Sequence, residues 1–414
     1  MSGLWSIQRV GRVAKTISGS GFPHEYQGRE SGDMPFVKVS DLRRIENIKG
    51  VSCSANYVSR GDIAALGARV IPAGSIVFPK VGAALLGNSR ALTLTACVLD
   101  NNLMAIIPRD GDVRYWRYAL MAIDLSELSG SGPLPYVSDS QVRDLRLFLP
   151  AFDEQRRIAD FLDAETVKID RLVAARQTQA ATLGQLWGSR LAATIDDQVS
   201  VYGWVPLRRV ASSVEQGWSP QCDDVAAEPN EWAVLKTSAV SSGEFAPLEH
   251  KRLPQGVKHD PRYRIADGDV LMTRGSGSPN HVGMVTEAKT EGRRLLLSDL
   301  LYRVRLVPEW SPRFVALALR SHPVRGLMTL LFRGQSGQTI KLRAEDVRSV
   351  EVPAVPVSMQ AELAAELTAE HVSILSVVRS IETSISLLAE RRQALITAAV
   401  TGQIDVTTAR GASA

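Results

Sequence analysis

Two stretches of this chain carry the pattern of long helices, and each needs a partner. From Asp153 to Ile195 (DEQRRIADFLDAETVKIDRLVAARQTQAATLGQLWGSRLAATI), apolar or seam-compatible residues recur at Ile158, Leu162, Glu165, Ile169, Leu172, Arg176, Gln179, Leu183, Leu186 and Arg190. This alternation of three and four is the 3.5-residue period of a coiled-coil stripe. No proline interrupts it, and about 43 residues at 1.5 Å each make a rod of about 65 Å, far beyond an ordinary globular helix. From Ser358 to Val400 the same alternation runs through Leu363, Leu367, Glu370, Ile374, Val377, Ile381, Ser384, Leu388, Arg391 and Leu395. The stretches also align residue by residue, Gln155 with Gln360, Ile158 with Leu363, Leu162 with Leu367, Ile169 with Ile374. A repeat with a period near half the chain means two copies of a domain, each followed by its helix.

At 414 residues the chain is too long for one ordinary core. Residues 1–150 read as a mixed α/β domain, with short β-rich runs at Phe36–Leu42, Ser75–Gly82 and Asn102–Pro108. A helical stretch follows from Arg114 to about Leu128, then the loop SGSGPLPYVSDS and a strand, LRLFLP. Asp153 suits the N-cap of the first long helix. The second half replays this order. The opening at Trp5 matches that at Trp204, Lys38 falls opposite Lys236, and Lys80 falls opposite Arg274. The predicted boundaries are a first domain 1–150, a helix 151–198, a second domain 199–355, a helix 356–406 and a disordered tail 407–414.

Chemistry leaves few traces. The six histidines are scattered, with no HExxH or Cys/His metal spacing. There is no GxxxxGK phosphate loop, no GxSxG elbow and no Asn/Asp-Pro-Pro-Tyr/Phe tetrapeptide. The glycine-rich run at Gly275, GSGSPNHVG, lacks the lysine and spacing of a nucleotide site. These absences argue for a binding scaffold rather than an enzyme. Cys53, Cys97 and Cys222 have no pair spacing and read as core residues of a reducing interior. The start lacks a signal-peptide pattern, and no apolar stretch approaches the length of a membrane span, so a cytoplasmic protein is predicted.

A net charge of +4 permits a nucleic-acid partner without demanding one. Between Glu291 and Arg348, however, eleven Lys and Arg face five Asp and Glu, a local charge of +6. Arginine dominates, and its fork suits phosphate and guanine edges.

At this point the chain resembles the specificity subunits of type I restriction-modification enzymes. The resemblance rests on the proline-to-glutamine approach to each helix (LPAFDEQRRIADFLD and VPAVPVSMQAELAAEL), the tail ERRQALITAAVTGQIDV at Glu390–Val406 and the twice-used tryptophan opening. It rests also on GSIVFPKVGA and GDVLMTRGSG, which are similar to the family's Gly-Asp-Ile-Leu strand and loop. The second copy departs from the pattern with Val357-Ser358-Met359 where the first has Phe152-Asp153-Glu154. The resemblance implies two target-recognition domains reading the halves of a bipartite double-stranded DNA site, with the long helices paired as an antiparallel coiled coil. It implies a non-catalytic subunit that recruits two modification subunits and restriction subunits. Those partners, not this chain, would use S-adenosylmethionine, ATP and magnesium. The competing reading is a stand-alone DNA-binding or coiled-coil adaptor protein.

Loops that follow strands can enter a groove while a sheet stays rigid. Lys38, Lys80, Ser89 and Arg90 in the first domain, and Lys236, Arg274, Ser276, Asn280, Thr339 and Lys341 in the second, are therefore the DNA-binding candidates. Tyr136, in the equivalent loop, is expected to close the core. Arg156, Arg157, Arg391 and Arg392, on the outward helix faces, are the candidate contacts to modification subunits.

Overall fold

The structure, a computed structural model, describes residues 5–47, 49–129, 134–334 and 339–406. The predicted tail 407–414 lies outside the described residues. The chain is mixed α and β and divides into two units, Met1–Arg176 with Thr383–Ala414, and Gln177–Glu382. Each unit therefore holds a head plus one part of each long helix.

In the first unit an antiparallel sheet runs in the order Ala14–Ser18, Leu103–Pro108, Ile76–Pro79, Ala91–Leu92. Its central strands are buried on both faces because side chains alternate across a strand. Ile76, Phe78, Met104 and Ile106 point into one apolar cluster, and Val77, Leu103 and Ala105 into another. The second cluster is shared with a mixed three-stranded sheet, Tyr57–Val58, Met34–Val37, Val98–Leu99. Strands Ser6–Arg9 and Arg146–Leu149 pair beside the start of the first long helix.

The second unit repeats this topology strand for strand. Its four-stranded sheet is Ala211–Gln216, Leu301–Leu306, Val270–Thr273, Val285–Glu287, and its three-stranded sheet is His250–Arg252, Trp232–Leu235, Arg294–Leu296. Trp204–Pro206 pairs with Glu351–Pro353 as Ser6–Arg9 pairs with Arg146–Leu149. Lys38 and Lys236 each directly follow the central strand of the small sheet, and Lys80 and Arg274 each follow a strand of the large one, as the sequence pairing anticipates.

The first long helix is Phe152–Tyr202, extending past the predicted end at 198, and the second is Val357–Val400. Asp153 lies inside the first turn rather than at the cap. The repeated glutamine does the tying instead. Gln155 accepts from the Asp112 backbone N–H at 3.1 Å and donates to the Pro150 carbonyl at 2.8 Å. Gln360 accepts from the Ser311 N–H at 3.0 Å and donates to the Val355 carbonyl at 2.9 Å. Asp112 and Ser311 are themselves the N-caps of the equivalent head helices, Val113–Met121 and Pro312–Arg320. One side chain thus locks each head's helix to the long helix it precedes.

The long helices run antiparallel within each unit. In the first, Ile158, Ala159 and Leu162 join Ile396, Ala399 and Val400 in one cluster, and Arg392 bonds Asp170 at 3.0 Å. In the second, Trp187 stacks on His371 with centroids 4.4 Å apart, and Arg190 reaches Glu366 and Glu370. The buried stripe departs from the heptad expectation. Leu172 and Leu186 are 54% and 58% exposed, whereas Trp187 and Leu191, one place after Leu186 and Arg190, are buried. A straight helix has 3.6 residues per turn, so its inward face drifts about 20° per heptad from a 3.5-residue seam, and across four heptads the drift moves the stripe by most of a residue.

Two further expectations are corrected. The second long helix contains an 18-residue window of mean hydropathy 1.5, long and apolar enough to cross a membrane by length and composition alone. Val372, Val377 and Leu387 lie on its exposed side, so the stretch counts as apolar although the same helix also contributes to the cluster of each unit. Of the cysteines only Cys97 is core, and burial raises its thiol to about 12, while Cys53 and Cys222 are half-buried.

Candidate nucleic-acid interface

The candidate side chains gather in separate places. In the second unit, strand Gly275–Ser276 pairs with Ile340–Lys341, which brings Arg274 and Lys341 to one cavity of about 500 Å³. Arg333 and Arg343 also line it. The Arg274 guanidinium is propped, with Nε donating to the Tyr302 hydroxyl at 3.2 Å, which in turn donates to the Leu342 carbonyl at 3.1 Å. Arg333 is brought opposite Lys341 by two backbone hydrogen bonds of 2.9 and 2.8 Å. The one carboxylate in the lining, Glu345, engages Arg343. Arg274, Arg333 and Lys341 thus form a cationic trio. Arg333 is not among the sequence candidates, since no local pattern marks its bridge to Lys341.

The other second-unit candidates are apart from this trio. Lys236 lines a cavity of about 350 Å³ with Lys251, and both ammonium groups face Asp224, at 3.7 and 3.3 Å. Ser276 Oγ accepts from the Ser278 N–H, and Asn280 is exposed, its carbonyl held by Arg325. Thr339 and Lys341 are exposed.

In the first unit, Val81 bridges Tyr136 where the second unit pairs Gly275 with Lys341. Tyr136 therefore stands where Lys341 stands. It is 47% exposed and does not close the core, because the strand edge turns it outward, where the Lys80 ammonium lies 6.0 Å from its ring. Burial lowers the Lys80 pKa, with Asp139 opposing. Lys38 donates to Gln27 Oε1 at 3.0 Å. Ser89 is exposed, but Arg90 is buried, with Nη1 on the Ser89 carbonyl and Nη2 on Asn88 Oδ1. Both line a cavity of about 400 Å³ with Arg43, Arg44, Lys49 and Arg117, a cluster whose one visible sequence signal was the Arg43-Arg44 doublet.

Part of the arginine excess is structural. Arg303 is buried between Glu215 and Asp269 and donates to the Arg262 and Arg264 carbonyls. Arg320 bonds Glu244, and Arg325 bonds the Val282 carbonyl. Burial lowers the pKa of Arg320 and of Arg325. These three hold the second head together and are not offered to a partner.

On the helices, Arg156 and Arg391 are exposed. Arg157 pairs with Glu154, and Arg392 with Asp170.

Comparison with known proteins agrees with this architecture. Residues 3–178 match the family described as type I restriction modification DNA specificity domain. Over 160 residues the chain is 30% identical to the type I restriction enzyme EcoEI specificity subunit of Escherichia coli, a match over 38% of this chain and 27% of that protein. Over 255 residues it is 25% identical to the EcoKI specificity subunit of Escherichia coli strain K12, over 58% of this chain and 53% of that one. The chain thus spans from about a quarter to about half the length of these curated relatives. A chain from a solved structure reported under complex assembly and conformational transition of the type I R-M system shares the fold, with a TM-score of 0.66 at 16% identity, covering 97% of this chain and 98% of that one. With its two heads of one topology and its paired long helices, the chain has the fold of that type I R-M chain, and its first unit is similar to the type I restriction-modification DNA specificity domain.

Proposed function

We propose that this chain gives a type I restriction-modification complex its DNA sequence specificity, each unit reading one half of a bipartite double-stranded site. The observation that carries the reading is one head topology built twice with unlike cationic loops, Lys80 beside Tyr136 in one and Arg274 with Arg333 and Lys341 in the other. A shared scaffold gives both heads the same approach to a groove, and different loop side chains give each its own preference. Lys and Arg would hold phosphates or guanine edges, and Ser276, Asn280, Ser89 and Thr339 would reach base edges, with Lys38 and Lys236 at the equivalent strand ends.

The chain itself is non-catalytic and cytoplasmic in this reading. It docks two modification subunits, which carry adenine-N6 methyl transfer, and restriction subunits that cleave DNA. Exposed apolar residues on the long helices, Val167, Leu172 and Leu387 in the first unit and Leu186, Val372 and Val377 in the second, together with Arg156, Arg157, Arg391 and Arg392, supply a mixed apolar and basic surface suited to protein partners.

Single-molecule mapping of N6-methyladenine in cells expressing this chain with its neighbouring modification subunit tests the proposal. The expected result is a methylated motif of two short halves around a fixed gap. A soluble complex that leaves no such motif would overturn it in favour of an adaptor.

A further inference from the structure

The first-unit cavity bounded by Arg43, Arg44, Lys49, Arg90 and Arg117 differs from the other cavities described above. Its lining holds five cations and no carboxylate. The second-unit cavity at Arg274 includes Glu345, the one at Lys236 includes Asp299, and two further first-unit cavities include Asp139. Bringing five positive charges together without an acid is unfavourable unless an anion joins them.

The orphaned donors point the same way. Among the described residues six buried side-chain polar atoms have no hydrogen-bond partner, and three are the Nε atoms of Arg44, Arg90 and Arg117. All three belong to this one cavity. A buried donor left unmade is costly, and the Arg90 and Arg117 Nε atoms have neither a hydrogen bond nor an ion pair among the described residues, so the cavity favours an added acceptor. The side chains are also pre-set. Arg90 is held by the Ser89 carbonyl at 2.9 Å, Asn88 Oδ1 at 2.6 Å and the Ile123 carbonyl at 3.4 Å, with its guanidinium 5.2 Å from the centre of the Phe78 ring. The ion pairs to nearby acids fall on Arg44: its Nη1 lies 3.9 Å from Asp41 Oδ1, a carboxylate that already accepts from the Lys38 and Ala55 N–H groups and from Ser54 Oγ, and its Nε lies 3.5 Å from Glu46 Oε2 without making a hydrogen bond. Burial brings Arg90 down to about 10, Asp124 opposing, so it remains charged at neutral pH.

We infer that this cavity is a phosphate-binding site, built to take a phosphoryl oxyanion on the guanidinium groups of Arg44, Arg90 and Arg117 behind a rim of Arg43 and Lys49. The Nε–Nη edge of arginine matches two phosphate oxygens at once. Resting on the proposed DNA-reading function, the source of that group is a backbone phosphate, which anchors the first head without regard to base sequence. A free phosphate or diphosphate offers the same chemistry.

The test uses the full chain and the double variant Arg43→Gln/Lys49→Gln, whose sites are exposed, with circular dichroism to verify folding; Arg117→Gln is the second variant. Binding to a cognate and a scrambled duplex is measured against salt, and inorganic pyrophosphate binding is measured by calorimetry. A backbone contact predicts that the variants weaken both duplexes equally, about tenfold at 50 mM salt, and that the salt slope falls by about 1. Loss of pyrophosphate binding with an unchanged DNA slope would keep the site and assign it a free anion. Folded variants that leave both measurements unchanged would overturn it. Absence of any DNA binding by the unsubstituted chain would count against the DNA-reading function, and the pyrophosphate arm would still decide the cavity.

Discussion

Replacing Gln360 by alanine tests whether one buried amide locks the second head to its helix. Gln360 is fully buried, and its two hydrogen bonds reach the backbone of two different elements, the N-cap Ser311 and Val355 just before the helix. Alanine removes both partners at once. The Val355 carbonyl has no solvent to turn to, and leaving it unmade costs about 1–3 kcal/mol; the half-buried Ser311 N–H costs about 1 kcal/mol. With the volume lost, the total is about 3–4 kcal/mol. For a unit of this size a urea slope of about 2 kcal/mol/M turns this into a midpoint lowered by about 1.5–2 M. Urea unfolding followed by tryptophan fluorescence reads it, because Trp187, Trp204 and Trp310 pack on the second unit's cluster. The exposed Glu362→Ala is the control. Gln155→Ala should act in the same way on the first unit, whose cluster holds Trp116 with Trp5 packed against it. A Gln360→Ala midpoint within about 0.3 M of the control would refute the idea that the glutamine is a structural lock.

Other outcomes follow from the same geometry. Arg303→Met takes from Glu215 and Asp269 their buried partner, leaving the more exposed Arg305 to pair with both, and should cost about 3 kcal/mol by denaturant titration, while Arg305→Gln should cost under about 1 kcal/mol. Glu244 is held down at about 2: burial would raise it, but the His371 hydrogen bond and Arg320 outweigh burial. Its contribution is present above the ordinary value of 4.5 and is lost as pH falls from 4.5 toward 2. Because the carboxylate is 41% exposed, about 1–2 kcal/mol is at stake, and Glu244→Gln should flatten the second unit's acid limb in thermal melts between pH 5 and pH 2.5. Lys341→Gln should weaken binding to all duplexes and lower the salt slope by about 1 if Lys341 holds a phosphate, whereas a change in the methylated motif would make it a base reader. Removing one heptad from both long helices shortens each by about 10 Å, and the gap in the methylated motif should shrink by about three base pairs; an unchanged gap would exclude helix length as its determinant.

Much of this architecture could be read from periodicity and repetition, because those signals are local. The long helices, the two-copy layout, the pairing of Lys38 with Lys236 and of Lys80 with Arg274, and the paired glutamines all follow from residue type at fixed spacing. What the glutamines do did not follow, since their acceptors and donors lie on segments far away in sequence. The candidate site was legible only as a set of cations on loops after strands. Lys341 and Arg274 meet because two strands pair across a long separation, and Arg333 joins them by the same closure.

By itself, then, the amino-acid order determined what depends on short-range regularity: which stretches are helical, that the domain occurs twice, and which family the chain resembles. Tertiary packing alone decided which cations are offered and which are spent. Arg303, Arg320 and Arg325 read like any surface arginine, yet they are buried or bonded to backbone in the second head, while Arg44, Arg90 and Arg117 converge on one cavity from separate segments. It also decided the phase of the helix stripe, where a small mismatch between 3.5 and 3.6 residues per turn accumulates until Trp187 is inside and Leu186 is out. Burial and charge pairing are sums over neighbours distant in sequence, and only the folded chain sets those neighbours.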